Sequence, residues 1–228
     1  MLPHLRHGRT LLTARDIVLN LEGGRVVGPW NGSIQMGQRI GVRTAFPEQW
    51  EALAEVLTGQ RVPEKGRLEE IEQVRAQSDV NIKASLDLNR SITDFLHSPD
   101  APEFVWLEGR RKVLWVLLDA LEIRPDMTRM ALKLIPEDIL DKFCALRFMV
   151  SRAEVLVGRE IFASHDEAVR KALSRRWLDF TGTVIAAESH SGALPGHVDA
   201  WWIIDGEGRV FEEKEQGSPA EEEGPCES

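Results

Sequence analysis

Residues 11–21 carry apolar side chains at Leu12, Ile17, Leu19 and Leu21, with Asp16 and Asn20 between some of them. That alternation is the period of a strand with one covered face. Glu22-Gly23-Gly24 comes next as a turn, and residues 25–30 and 32–36 read as further strand, so two or three antiparallel strands are expected. Residues 39–44 read as a short buried strand and residues 47–57 as a helix. Pro47 suits the first helical turn, where a missing N–H costs nothing. Trp50, Leu53, Ala54 and Leu57 line one face, and Gly59 stops the helix. Residues 67–74 read as another strand.

From Ser91 the apolar spacing lengthens to that of helices. Thr93 to Leu96 and residues 113–121 are apolar on one face. Ile135-Pro-Glu-Asp138 opens a helix that runs through Leu140, Phe143, Leu146, Phe148 and Met149. Glu154-Val-Leu-Val157 reads as a short buried strand, residues 165–177 as a helix, and Thr183-Val-Ile-Ala-Ala187 as a second buried strand. Trp201-Trp-Ile-Ile-Asp205, Gly206 and Arg209-Val-Phe211 read as a hairpin. Adjacent strand residues face opposite sides, so one of Trp201 and Trp202 is expected in the core and the other at the surface, as an interface marker. Residues 213–228 are rich in Glu, Gly, Ser and Pro and are expected to be disordered. Residues 1–212 then form one α/β domain, with a helical insertion at about 78–150.

Composition changes this picture by exclusion. The 228 residues are 43% hydrophobic, which is enough for a sizeable core. Lys and Arg number 28 against 37 Asp and Glu, a formal charge of -9 that does not favour nucleic acid or an anionic membrane surface. No stretch approaches the ~18 apolar residues of a membrane span, and the longest, 113–121, is broken by Asp119. The N-terminal Met1 to Arg9 has no apolar run after its basic residues and does not read as a secretory signal. Cys144 and Cys226 are far apart, which fits a reducing cytosol and no zinc spacing; Cys144 reads as a small core residue. No G-x-S-x-G, H-E-x-x-H or C-x-x-C is present, and His4 and His7 sit in a segment that reads as flexible.

Three blocks in order resemble the nucleotide-binding domain of ABC transporters. Ser33-Ile-Gln-Met-Gly-Gln-Arg-Ile-Gly41 and the segment from Gly41 to Gly59 have the length of the family's strand, phosphate loop and helix. Leu57-Thr-Gly59 resembles the family's "L-(A/S)-G" helix end, and Lys65-Gly-Arg-Leu68 its later "sG-x-(V/I)". Ser151-Arg-Ala-Glu-Val-Leu-Val-Gly-Arg-Glu-Ile-Phe-Ala-Ser-His-Asp166 resembles the family's "x-R-P-E-V-L-L-L-D-E-P-F-A-S-L-D" throughout. Thr183-Val-Ile-Ala-Ala-Glu-Ser-His190 resembles "t-V-l-l-V-T-H", and Trp201 to Val210 the hairpin after it. Gln77 stands as the Q-loop glutamine, with residues 86–96 similar to the segment after it. The resemblance covers about residues 11–211 and implies a P-loop NTPase-like ABC ATPase fold.

The residues at the diagnostic positions differ from the family's. A phosphate loop is G-x-x-x-x-G-K-[ST], whose glycines let backbone N–H groups curl around phosphate and whose Lys neutralises it. Here Thr44 and Gln49 stand at the glycines, Trp50 at the lysine and Glu51 at the hydroxyl. Glu48 and Glu51 are expected in the helix's first turn, where carboxylates suit the dipole and repel a triphosphate. Glu160 falls at the catalytic carboxylate and His190 at the switch histidine. Arg159 falls where the magnesium-organising Asp belongs, a cation in the place of an anion that a hard metal requires. Residues 135–139, Ile-Pro-Glu-Asp-Ile, take the place of the L-S-G-G-(Q/E) signature, and no aromatic for adenine stacks near residues 21–23.

The resemblance therefore implies a degenerate ABC-type domain, not hydrolysing ATP and holding no metal. It would serve as a structural or regulatory subunit beside an intact ABC ATPase or a membrane permease, cytoplasmic or peripheral at the inner face of the membrane. Two other readings stay open. One is an active ATP-binding protein of an ABC transporter, using ATP and Mg²⁺ through Glu160, His190 and Gln77. The other is a soluble adaptor unrelated to transport, self-associating as a homodimer.

Overall fold

The computed structural model describes residues 8–70, 74–78, 86–96, 116, 118–150, 153–159, 167–187 and 194–214. Nine strands are described: β1 (Thr10–Asn20), β2 (Val26–Gln35), β3 (Arg39–Thr44), β4 (Lys65–Glu70), β5 (Ala76–Ser78), β6 (Val155–Arg159), β7 (Thr183–Ala187), β8 (Ala200–Ile204) and β9 (Val210–Lys214). The longer helical stretches among the described residues are α1 (Pro47–Leu57), α2 (Ile92–Leu96), α3 (Glu137–Val150) and α4 (Glu167–Asp179).

The strands form two sheets. One is antiparallel, in the order β2-β1-β4. The other has six strands in the order β5-β6-β7-β3-β8-β9, parallel except for the β8–β9 hairpin. The sequence dictates this division. β7 is buried at every position, and β6 at all but its last, as expected of parallel strands covered on both faces. β1 instead alternates, broken by a bulge where Asp16 takes a positive φ of 49°. There Asn31 satisfies the freed backbone, accepting from the Asp16 N–H at 2.9 Å and donating to its carboxylate at 2.9 Å.

Each face of the parallel sheet has its own core. On one face Val155, Val157, Ile185, Ile40 and Val42 pack with α1 and the antiparallel sheet. On the other, Leu156, Val184 and Ala186 pack with α3 and α4 through Phe143, Leu146, Leu173 and Trp177. Ser91 caps α2 in a reciprocal box. Its hydroxyl accepts from the Asp94 N–H at 3.1 Å, and its own N–H donates to the Asp94 carboxylate at 3.0 Å.

The α1 and β7 boundaries coincide with those read from the sequence. Others move. The strand expected at 67–74 begins at Lys65, and residues 71–73 lie outside the described residues. Ile135 closes a 3-10 turn, so α3 starts two residues later, at Glu137. Within α1 the first turn holds Glu48 but not Glu51, which lies one residue beyond it. β9 runs to Lys214, so Glu213 and Lys214 belong to a strand and not to the expected disordered tail. Their backbones ladder with Trp201 and Ala200, which an exposed edge strand permits whatever its side-chain charge. Residues 215–228 lie outside the described residues.

The two tryptophans of the final hairpin face opposite sides of the sheet. Trp202 is buried on the antiparallel-sheet side, and Trp201 is half-buried against the helical side. The two rings thus take opposite faces as expected, Trp202 in the core and Trp201 partly exposed at the edge of the helical cluster.

Candidate functional site at the carboxyl ends of the parallel strands

In open α/β sheets ligands sit outside the carboxyl ends of the strands. At that edge the register aligns Val42 of β3 and Arg159 of β6 with the same residue of β7, Ala187. The segment from Thr44 into α1 therefore leaves β3 two strands away from Arg159.

The loop is closed by its own side chains. The Thr44 hydroxyl lies 2.8 Å from the Phe46 carbonyl and 3.0 Å from Gln49 Oε1, and accepts from the Phe46 N–H at 3.2 Å. Gln49 is 1% exposed and donates its amide to the Asp205 carbonyl at 3.3 Å, joining the loop to the end of β8. Trp50, also 1% exposed, points into the core beside the antiparallel sheet. Phe46 precedes α1 in an extended conformation and supplies no side-chain cap, while Pro47 opens the helix.

The charged residues around the loop are paired. Arg159 donates to the Glu51 carboxylate, an ion pair between the end of β6 and α1. Arg25, just before β2, donates to the Glu48 carboxylate and places its guanidinium 3.9 Å from the centroid of the Phe46 ring. On the opposite face of β3, Arg43 stacks 4.1 Å from the centre of Trp201.

The β8–β9 turn is built on Asp205. Its carboxylate accepts from the backbone N–H groups of Glu207 and Arg209, each at 2.9 Å, and from Arg209 Nε at 3.0 Å. Desolvation pushes this carboxyl's pKa upward, and the bonds from Arg209 and Glu207 outweigh it, so it lies below the ordinary aspartate value.

The structure thus joins Thr44 to Gln49 and Glu51 to Arg159, and turns Trp50 inward. Gln77 is the middle residue of β5, an edge strand of the sheet, level with Leu156 and three residues short of Arg159 along the strand direction. Glu160 and His190 lie outside the described residues. Glu137 and Asp138 occupy the first turn of α3, both exposed, with the Ile139 and Leu140 N–H groups bonded to the Pro136 carbonyl. Among the described residues no group of three or more His, Cys, Asp or Glu could hold a metal ion. No helix among them is long and apolar enough to cross a membrane. The part of Arg25 was missed by sequence reasoning. Its partner Glu48 is 23 residues away, and no local pattern announces the contact.

No known family model matches the chain. Among curated proteins it is 18% identical over 203 residues to the ATP-binding protein Uup of Buchnera aphidicola subsp. Schizaphis graminum (strain Sg). That alignment takes in 89% of this chain but 34% of the relative, so the chain spans about a third of that protein's length. Among solved structures, an ATP-binding subunit of an ABC transporter aligns with a TM-score of 0.69 at 13% identity, over 90% of each chain. A bacterial Atm1-family ABC exporter with ATP bound aligns with a TM-score of 0.68 at 14% identity, over 91% of this chain and 39% of the exporter chain. At such identities the likeness is one of fold: the chain has the ABC ATPase form of the P-loop NTPase fold.

Proposed function

We propose that the chain is an ABC-type domain that does not hydrolyse ATP. It would act as a structural or regulatory subunit at the cytoplasmic face of a membrane, beside an intact ABC ATPase or a permease. The observation that carries this reading is the ion pair between Glu51 and Arg159. These residues stand at the two positions where the resemblance would have a hydroxyl and a carboxylate meet a magnesium ion. Mg²⁺ takes hard oxygen ligands in near-octahedral geometry. A guanidinium neutralising the neighbouring carboxylate offers neither the charge nor the free oxygens.

The phosphate side supports the same reading. A triphosphate needs a cation and several inward-facing N–H groups. Trp50 stands at the cation's position and is buried, and Gln49 fills the turn that a glycine would leave open. The residues present do not fit ATP with Mg²⁺.

Calorimetry of ATP against the purified full chain, with and without Mg²⁺, tests this. No heat of binding at millimolar ATP is expected. Micromolar, magnesium-dependent binding would overturn the reading in favour of an active ATP-binding protein, and hydrolysis assays on Glu160→Gln would come next. A homodimer that never associates with membrane or ATPase would instead favour an adaptor.

A further inference from the structure

Glu48 and Glu51 are three residues apart on α1, so they lie on one ridge of the helix. Each is held by an arginine from a different sheet. Arg25 reaches Glu48 from the turn before β2 in the antiparallel sheet, and Arg159 reaches Glu51 from the end of β6 in the parallel sheet. The like charges on the helix are thus flanked on both sides by cations.

We propose that these four residues form an ionic clasp. It fixes the start of α1, and with it the loop from Thr44 to Gln49, against both sheets at once, and its grip is set by ionic strength. The inference deepens the reading above and rests on it, since it supposes that the loop takes its order from its own side chains and not from a nucleotide. All four side chains are 37–48% exposed. Isolated pairs at that exposure contribute little and are screened by salt. The two pairs act on one helix ridge from opposite sides, with Arg25 also stacked on Phe46, and both loosen as salt rises.

Hydrogen exchange of residues 45–51 in the full chain tests the clasp. At low salt, Glu51→Gln and Arg159→Gln are each expected to speed exchange there about two- to five-fold while leaving β7 unchanged. The double Gln variant should be no faster than the single ones, because both remove the same contact. The reversed pair Glu51→Arg with Arg159→Glu should return to within about twofold of the parent, and molar salt should bring the parent to the level of the single variants. Additive effects in the Gln cycle, or exchange in the parent that ignores salt, would overturn the clasp. A reversed pair that unfolds is replaced as the test by the equivalent Gln cycle on Arg25 and Glu48, where additivity again overturns it. ATP binding in the calorimeter would defeat the functional reading and leave a coupled cycle standing. An additive cycle without ATP binding would do the reverse.

Discussion

Trp201 covers Gly41. The two are cross-strand partners on β8 and β3, and a β-carbon placed at Gly41 would come within 2.5 Å of the Trp201 ring. The ring cannot retreat freely, since it packs against the helical core on one side and carries Arg43 on the other. Gly41→Ala is therefore expected to destabilise the fold by about 1–3 kcal/mol through overpacking, read as a lower urea midpoint with unchanged slope. Combining it with Trp201→Ala should cost less than the sum of the two. An additive double variant would show that the ring is not what Gly41 accommodates.

The same pair shows what the sequence could and could not disclose. Gly41 lies in the strand read at residues 39–44, but the reason for a glycine there is a ring 160 positions along the chain that pairing of β3 with β8 brings alongside. Helix α1 was legible to the residue because its signals are local: Pro47 at its start, an apolar stripe, and Gly59 after its end. β7 was equally plain as an unbroken apolar run. The opposite facing of Trp201 and Trp202 was legible from strand alternation, while the partial cover over Trp201 comes from a cluster distant in sequence. At the site, resemblance put Arg159 at the position of a missing carboxylate. That Arg159 meets Glu51, 108 residues away, is a property of the fold alone.

Arg39 should prove a principal fastener of the sheet to α4. Its guanidinium donates to the carbonyls of Trp177 at 2.7 Å, Gly182 at 2.8 Å, Gly37 at 3.0 Å, and to that of Phe180. Two of these carbonyls close α4 or come directly after it, where a cation suits the helix dipole. Its backbone N–H donates to the Asp199 carboxylate at 2.6 Å. Burial lowers the Arg39 pKa, and Asp199 opposes that. Arg39→Met would leave several carbonyls unserved in a half-buried site, for an expected loss of about 2–4 kcal/mol. Arg39→Lys should recover less than half, because an ammonium cannot span the same fork. Chemical denaturation of the two variants decides, and full rescue by Lys would sink this account.

Stability should fall in acid partly through Glu154. Desolvation raises the pKa of this carboxyl, but bonds from Arg75 outweigh it: the side chain at 3.3 and 3.4 Å and the backbone N–H at 2.9 Å. The net shift is downward from the ordinary glutamate value. A depressed folded pKa means that the unfolded chain binds the proton first. The stabilisation is thus fully present above the unfolded value of about 4.3, and is lost as pH falls through the lower folded one. Glu154→Gln should narrow the difference between urea midpoints at pH 6 and pH 3. An unchanged difference would mean that Glu154 has no part in the acid response.

Trp50 bears most directly on whether the loop could be returned to phosphate binding by restoring single residues. It belongs to the core that also contains Trp30, Leu53 and Trp202, and is among the largest fully buried side chains. Trp50→Lys would replace that volume with a smaller chain carrying a charge, combining a cavity with desolvation of an ammonium. A loss of at least about 3–5 kcal/mol is expected, which would unfold a domain at the low end of the usual range of about 5–15 kcal/mol. Trp50→Phe keeps the site apolar and should stay folded at a smaller cost. Far-ultraviolet circular dichroism and urea unfolding of both variants check the first half, and ATP calorimetry on whichever folds checks the second. A folded Trp50→Lys protein that binds ATP would mean that the core can release this position, and that only one residue separates the loop from a working phosphate site. A folded variant that still ignores ATP would put the block on Gln49 and on the pair of Glu51 with Arg159, which the substitution leaves in place.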